Sequence, residues 1–237
     1  MMQSVYNYLL TCREEPAAAK AAEQLELYRD LVLEYNHSVN LTAITDSEEF
    51  AVKNILDSLT CLNGPGFPDA ETVIDIGTGA GLPGIPLAAA CPEKRFVLMD
   101  SLAKRVKIVR EIADSMGLDN VETVHARAED LAREKKYRES FDVCVSRAVS
   151  RLPVLCEYCL PFVKVGGVFI SYKGSAFREE IAESANALGI LGGKVAGIED
   201  AVMADYGMEH AVIYINKIKK TPDIYPRKAG TPAKKPI

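Results

Sequence analysis

The spacing of hydrophobic positions changes once along the chain, close to residue 66. Between residues 17 and 35, apolar side chains recur at the spacing of one helix face, at Leu25, Tyr28, Leu31, Val32 and Tyr35. Asp46 and Ser47 are suited to cap a further helix that continues through Leu59. Residues 63–68 then contain two glycines and two prolines, which interrupt regular structure. Residues 1–66 are therefore predicted to form an N-terminal helical extension.

From residue 71 onward, short apolar runs alternate with segments long enough for helices. The runs cover residues 72–76, 95–100, 121–125, 141–146, 167–173, 194–199 and 210–216. Such alternation is typical of a parallel sheet with helices on both faces. The last two runs have no helical stripe between them, which is compatible with an antiparallel pair at one edge. Residues 67–217 are predicted to form a doubly wound, Rossmann-like α/β domain with a mostly parallel, seven-stranded sheet.

Composition narrows the class of protein without naming its chemistry. Of 237 residues, 48% are hydrophobic and 26% are charged, as in ordinary globular proteins. The longest nearly apolar stretch, residues 81–91, is too short for a membrane span and contains two prolines. The N-terminus lacks the basic region and cleavage site of a signal peptide, and the six cysteines are scattered. We therefore expect a cytoplasmic protein without a membrane partner.

Charge is distributed unevenly. The formal net charge is −5, yet residues 216–237 carry seven basic residues and one acidic residue, Asp223. A basic terminus of this kind is typical either of a segment that binds nucleic acid or of a merely solvated end. Its prolines argue against a core helix or strand. Residues 218–237 are predicted to form a basic C-terminal tail.

The most informative motif directly follows the first predicted strand, in the glycine-rich residues 75–84. Gly77 and Gly79 permit positive φ and a close approach of backbone to a ligand. In open α/β sheets, ligands bind at the carboxyl ends of the strands, where this loop is expected. The second strand ends in Asp100, whose carboxylate is suited to accept hydrogen bonds from both hydroxyls of a ribose.

This combination occurs in dinucleotide enzymes as well as in methyltransferases, and three details favour S-adenosylmethionine as the cofactor. The glycines follow a GxGxG spacing. Asp75 would repel a pyrophosphate but suits the cationic methionine end of the cofactor. Ala128 and Glu129, after the third strand, are suited to read an adenine edge. Because Gly84 also allows the GxGxxG spacing of dinucleotide-binding enzymes, an NAD(P)-dependent oxidoreductase remains the alternative.

Taken together, these motifs resemble those of the RsmG (GidB) methyltransferases over nearly the whole chain. The matching segments are Asn40-Leu41-Thr42-Ala43-Ile44, Ile55-Leu56-Asp57-Ser58-Leu59, residues 75–86, Asp100-Ser101-Leu102, Ser146-Arg147-Ala148, Tyr172-Lys173-Gly174 and residues 225–232. Tyr35 and Asn54 depart from the family pattern, which often has Trp and His at these positions.

The resemblance implies a class I methyltransferase that uses S-adenosylmethionine to methylate N7 of a guanine in small-subunit ribosomal RNA. Its partner would be that RNA or the 30S particle, and we expect a monomer. Cofactor-binding residues carried over from the family are Gly77, Leu82, Ala128, Glu129 and Arg147. Asp75, Gly79 and Asp100 are added from the residue patterns described above.

Guanine N7 carries a lone pair and no proton, so its methylation requires no general base. Catalysis then depends on the alignment of the reacting atoms. This agrees with the three histidines lying in unrelated segments, and no metal site is expected. Arg147 and Lys173, each at the end of a predicted strand, are candidates for positioning the RNA, and an ion pair with Asp142 or Glu129 is the structural alternative for Arg147. A non-catalytic assembly factor that binds ribosomal RNA is a further alternative.

Overall fold

The computed structural model describes residues 2–200 and 203–237, which contain one seven-stranded sheet. The strands are β1 (Thr72–Ile76), β2 (Arg95–Asp100), β3 (Val121–His125), β4 (Phe141–Arg147), β5 (Val163–Lys173), β6 (Gly193–Glu199) and β7 (Ala211–Lys217). Their order across the sheet is β3-β2-β1-β4-β5-β7-β6. All neighbouring pairs are parallel except those of β7, which is antiparallel to β5 and to β6. The predicted fold class is confirmed, including the antiparallel pair at one edge.

The strands agree with the apolar runs to within about one residue, except that β5 begins four residues earlier than its run. Its first part pairs with β4 through Val163 and Phe141, and the register shifts before Val168. Gly166 lies within this irregular stretch with φ +94°. Glycines are weak strand formers, so the sequence pattern concealed this part of the strand.

Helices cover both faces of the sheet. They are α1 (Gln3–Leu9), α2 (Glu15–Asn36), α3 (Ser47–Phe50), α4 (Asp57–Leu59), α5 (Gly84–Ala90), α6 (Ala103–Ser115), α7 (Ala128–Leu131), α8 (Leu152–Cys159), α9 (Phe177–Glu183), α10 (Ala185–Leu191) and α11 (Thr231–Lys234). A π-helical turn, Ala51–Leu56, joins α3 to α4. Within the described ranges, none of the helices combines the length and apolar character that a bilayer span requires.

The alternation of side chains along each strand separates two hydrophobic cores. Val73 of β1 belongs to the core shared with α1, α2, α5 and α6, whereas Ile74 belongs to the core shared with α8 and α10. The N-terminal helices thus complete one face of the sheet. Tyr28 of α2 is fully buried there, and its hydroxyl donates to the carbonyl of Ala80 in the glycine loop at 3.0 Å. The change in pattern near residue 66 therefore marks a change of secondary structure within one packed unit.

The C-terminal segment packs against the α8 side of the protein. The Arg138 guanidinium donates to the carbonyls of Thr221 and Tyr225, both at 2.9 Å. Tyr225 packs against the core beneath α8, while Ile224 is 71% exposed. The tail is consequently fastened to the folded body along part of its length, on the face opposite the N-terminal helices.

Candidate functional site

A crevice of about 440 Å³ lies at the carboxyl ends of β1, β2 and β4. The strand order reverses between β1 and β4, and such a switch point is where open α/β sheets bind ligands. Seven of the sequence-predicted site residues line this crevice: Gly77, Gly79, Leu82, Asp100, Ala128, Glu129 and Arg147. The remaining two, Asp75 and Lys173, lie outside it.

The glycine loop presents bare backbone to the crevice. Gly77 has φ +76°, and a Cβ on it would lie 2.4 Å from Cγ2 of Val149. Gly79 has φ +61°, and a Cβ there would approach nothing closer than the Gly77 carbonyl oxygen at 3.9 Å. The N–H groups of Gly77 and Thr78 both donate to the carbonyl of Met99, which fastens the loop to the end of β2. A side chain at either glycine would therefore be strained, and at Gly77 it would also clash.

Asp75 occupies a position different from the one predicted. Its side chain is fully buried on the α5 side of β1, where Oδ2 accepts the N–H of Gly84 at 3.0 Å. Strand alternation explains this, because Asp75 shares the Val73 face while its neighbour Ile76 lines the crevice. Burial raises the pKa of Asp75 to about 7, and hydrogen bonds from the loop offset only a part of this effect. Asp75 shapes the loop from behind and makes no direct contact with the crevice.

Asp100 faces the crevice in a fixed orientation. Its Oδ2 accepts the N–H of Gly79 at 3.0 Å, and its Oδ1 accepts the N–H of Leu102 at 2.9 Å. The residue is only 4% exposed, and Arg105 approaches Oδ2 to 3.9 Å. Each carboxylate oxygen can accept more than one hydrogen bond, so both retain capacity for ligand hydroxyls.

Glu129 lies in the first turn of α7, opposite the glycine loop, and is 4% exposed. Its Oε1 accepts the N–H of Gly230 from the C-terminal segment at 2.7 Å. Tyr158 of α8 also lines the crevice near this residue. Sequence reasoning found Glu129 but missed both Tyr158 and the contribution of the tail, because neither lies next to a recognisable motif.

Arg147, the last residue of β4, is held by the segment that links the N-terminal helices to the sheet. Its Nη1 donates to Asp57 Oδ2 at 2.6 Å and to the carbonyls of Lys53 and Asn54 at 2.9 and 3.3 Å. Its Nη2 donates to the side-chain oxygen of Asn54. Neither of the two carboxylates considered from the sequence, Asp142 and Glu129, is its partner.

These acceptors lie within or directly after the π-helical turn, Ala51–Leu56. An i→i+5 turn changes the pattern of backbone pairing, and turns of this type occur frequently at functional sites. Asn54 stands in this turn at the position of the second family departure and is 4% exposed. Its Nδ2 is buried without a hydrogen-bond partner among the described residues. Asn54 therefore brings an unused donor to the wall of the crevice.

His210 corrects the expectation that the histidines are isolated. Its Nδ1 lies 3.0 Å from Oδ1 of Asp57, the carboxylate that also holds Arg147. The two residues are 153 positions apart in the chain. His210 immediately precedes β7, which is antiparallel to β5. The start of β7 therefore lies at the carboxyl end of β5, at the same end of the sheet as the crevice.

Lys173 is also placed differently from its prediction. Its Nζ donates to the carbonyl of Ser150 at 2.5 Å and pairs with Glu180 at 2.7 Å. The side chain is 7% exposed. A buried, paired ammonium outside the crevice is a structural link between β5 and α9, so the predicted role in positioning RNA is not supported by its geometry.

The crevice suits the chemical groups of S-adenosylmethionine. Gly77 and Gly79 leave bare backbone at the crevice, and a side chain at either position would strain that backbone. Asp100 and Glu129 offer carboxylates to the hydroxyl and amine donors of an adenosine, and Arg147 offers a cation beside Asn54, whose Nδ2 has no partner among the described residues. The donor set therefore fits the cofactor that the sequence motifs indicated.

Comparisons with known proteins show the family to which the chain is similar. The family model described as GidB, rRNA small subunit methyltransferase G, matches residues 21–205. A ribosomal RNA small subunit methyltransferase G of Alkaliphilus metalliredigens is 50% identical over 215 residues, covering 91% of this chain and 90% of the relative. One from Clostridium botulinum strain Alaska E43 is 43% identical over 235 residues and covers 98% of both chains.

Solved structures with lower sequence identity share the fold. An O-methyltransferase from Bacillus cereus in complex with SAH has a TM-score of 0.57 at 19% identity, covering 80% of this chain and 90% of that one. A putative O-methyltransferase from Klebsiella pneumoniae has a TM-score of 0.54 at 16% identity, with the same coverage. With the family model matching most of the chain and close relatives covering nearly all of it, the chain belongs to the rRNA small subunit methyltransferase G (GidB) family.

Proposed function

We propose that this protein transfers a methyl group from S-adenosylmethionine to N7 of a guanine in small-subunit ribosomal RNA. The observation that carries the proposal is the crevice at the β1/β4 switch point, framed by bare glycine backbone, the Asp100 carboxylate and Arg147. Family membership supports the class of reaction. The choice of guanine N7 follows from the resemblance described from the sequence.

Each wall of the crevice has a part in holding the cofactor. The carboxylate of Asp100 is oriented by two backbone N–H groups and accepts the ribose hydroxyls. Glu129 has one oxygen occupied by the tail, so its other oxygen receives the donor from the adenosine. The backbone of Gly77 and Gly79 allows the ligand to approach closely. When bound, S-adenosylmethionine supplies an electrophilic methyl group on a positively charged sulfur.

The transfer requires alignment rather than proton removal. Guanine N7 has an exposed lone pair and no proton, so no side chain has to act as a base. Holding the nucleophile in line with the methyl group accounts for most of the acceleration in such a case. Arg147 stands at the crevice wall with a rigidly held guanidinium, where it is suited to orient the guanine or the methionine end of the cofactor.

Cations at the rim of the crevice favour an RNA substrate despite the overall charge of −5. Arg105 and Arg127 line the crevice, and the Arg105 side chain is 37% exposed. Phosphate contacts from such residues contribute a large share of RNA affinity. We further propose that the protein acts as a cytoplasmic monomer on free small-subunit RNA or on the 30S particle.

The proposal is tested by mapping N7-methylguanine in small-subunit RNA after incubation with the protein and cofactor. At a cofactor concentration near the wild-type Kd, we expect one modified guanine with wild type and with Asp114→Asn, an exposed control on α6, and a much lower yield with Asp100→Asn. Calorimetry should show binding of S-adenosylhomocysteine and not of NADH. Cofactor binding without methylation of RNA or 30S particles would instead favour the non-catalytic assembly factor, and NADH binding would favour the oxidoreductase.

A further inference from the structure

We propose that His210 is a positioning residue for methyl transfer, which sets the orientation of Arg147 through the carboxylate of Asp57. The inference rests on the proposed function for its activity test, but its geometry stands independently. Three side chains from three distant parts of the chain form one continuous series: His210 Nδ1, Asp57 with its two oxygens, and Arg147 Nη1.

Asp57 is the centre of this series. Its side chain is 1% exposed, and its two oxygens serve different partners, with Oδ2 at 2.6 Å from Arg147 and Oδ1 at 3.0 Å from His210. A buried carboxylate is stable only when its oxygens are paired. Because one oxygen faces each partner, the plane of the carboxylate is set from both sides. Loss of the imidazole frees Oδ1, so the carboxylate can rotate and its bond to Nη1 of Arg147 weakens, while the bonds from the guanidinium to Lys53 and Asn54 remain.

The direction of the hydrogen bond defines the state of the imidazole. An ionised carboxylate only accepts, so Nδ1 of His210 must carry the proton and donate it to Asp57. The series therefore depends on the Nδ1 edge of the ring. A side chain that keeps a donor at that edge should preserve the series, and one that keeps a donor only at the opposite edge should not.

His210 also lines a second cavity, of about 490 Å³, which shares no lining residue with the crevice. Ser175 and Phe177, which follow β5, line this cavity together with Arg178 and Asp200. The His210 side chain is 31% exposed, and its Nε2 makes no hydrogen bond to the described residues. If Nε2 were the functional edge, this cavity would be where it acts. That alternative makes an opposite prediction for the same set of variants.

The geometry does not favour His210 as a general base. Its Nδ1 is occupied by Asp57, and the side chain does not line the cofactor crevice. Asp57 lies between it and Arg147. The imidazole therefore acts on the reaction through Arg147 rather than on the reacting atoms.

Three substitutions distinguish the two edges of the ring. The amide nitrogen of Asn superimposes approximately on Nδ1, and that of Gln on Nε2, whereas Ala removes both. At saturating cofactor and RNA, we expect His210→Ala and His210→Gln to lower kcat about 10- to 100-fold, the loss that misalignment causes. His210→Asn should restore kcat to within a few-fold of wild type. His37→Ala, at an exposed histidine on the N-terminal side, is the matched control.

Wild-type kcat in the Ala variant would overturn the proposal, as would recovery by Gln and not by Asn. Equal losses in the Asn and Gln variants would overturn it as well, because the series requires only the Nδ1 donor. Thermal unfolding is measured for every variant, and kcat is compared only below the lowest transition. A change in stability without a change in kcat contradicts the positioning role.

A spectroscopic test does not require turnover. In protein labelled with ¹⁵N-arginine, the Arg147 guanidinium resonances, assigned with Arg147→Lys, should show slow rotation in wild type and in His210→Asn. They should be averaged in the Ala and Gln variants. If wild type methylates no ribosomal RNA but this pattern holds, the proposed function falls and the positioning stands. If Arg147 is unchanged in all variants, the positioning is refuted whatever the activity.

Discussion

Arg227 of the C-terminal segment makes the most extensive polar contact between the tail and the body. Its guanidinium donates to both oxygens of Glu157 in α8 through Nε at 3.0 and 3.1 Å and through Nη2 at 2.6 Å. Its backbone N–H adds a fourth bond at 2.6 Å. The Glu157 side chain is only 1% exposed. Substitution of Arg227 by Ala would leave a buried carboxylate with its backbone donor alone.

The expected destabilisation follows from that burial. Removing one partner of a buried ion pair costs about 3–5 kcal/mol, because the remaining charge is left unpaired. The Arg227 side chain is 26% exposed, so water reaches part of the pair. We therefore take the lower end, about 3 kcal/mol. For a chain of this length, 1 kcal/mol corresponds to roughly 2–4 °C, so Tm should fall by about 6–12 °C.

Thermal unfolding followed by circular dichroism measures this effect. Lys228→Ala removes the neighbouring exposed cation and serves as the matched control, with little expected change. In a double-mutant cycle with Glu157→Gln, the two substitutions should be strongly non-additive, because each removes the same interaction. Equal Tm values for Arg227→Ala and Lys228→Ala, or additive effects in the cycle, would refute a stabilising ion pair between Arg227 of the tail and Glu157 of α8.

Two further predictions concern the crevice, and a third concerns the buried carboxylate behind the glycine loop. Asp100→Ala should weaken binding of S-adenosylhomocysteine by about 1–3 kcal/mol in calorimetry, because two hydroxyls lose a charged acceptor; unchanged affinity would remove Asp100 from the site. Gly79→Val should abolish that binding with a native circular dichroism spectrum, because φ is +61° and the position faces the crevice; intact binding would make the loop a simple turn. The third concerns Asp75, whose folded pKa is raised from 3.8 to about 7, so the folded state binds the proton more tightly and this group's contribution to stability falls as pH rises from about 4 to 7. Asp75→Asn should flatten the pH dependence of the free energy of unfolding by up to about 1.4 kcal/mol per pH unit. If the free energy of unfolding changes with pH in parallel for wild type and variant, the raised pKa of Asp75 is contradicted.

Local patterns determined the parts of the fold and site that depend on neighbours in sequence. The apolar runs located all seven strands because helices cover both faces of the sheet, so most strands bury nearly every side chain. Gly77, Gly79 and Asp100 were found because each directly follows or ends a strand, and parallel strands bring their carboxyl ends to one edge. The start of β5 was missed because Gly166 and Gly167 weaken the apolar pattern there, although this part of the strand still pairs with β4.

Side-chain direction was the first feature that local position did not determine. Asp75 and Lys173 both stand near the correct edge of the sheet, yet neither lines the crevice. Asp75 points to the face occupied by the N-terminal helices, and Lys173 is neutralised by Glu180 of α9. A residue near the end of a strand can face either layer, and only the helices packed there decide which face is open.

Hydrogen bonds between distant segments are the second feature that local position did not determine. Arg147 and Asp57 are 90 residues apart, Glu129 and Gly230 are 101 apart, and His210 and Asp57 are 153 apart. A hydrogen bond between distant segments imposes no periodicity on either segment, so the local pattern around these residues did not predict the pairings. The sequence by itself determined the sheet, the loop and the class of ligand that they accept. The tertiary structure alone decided which groups hold Arg147 and Glu129 in place, since those contacts exist only after the N-terminal helices, β7 and the tail have packed around the crevice.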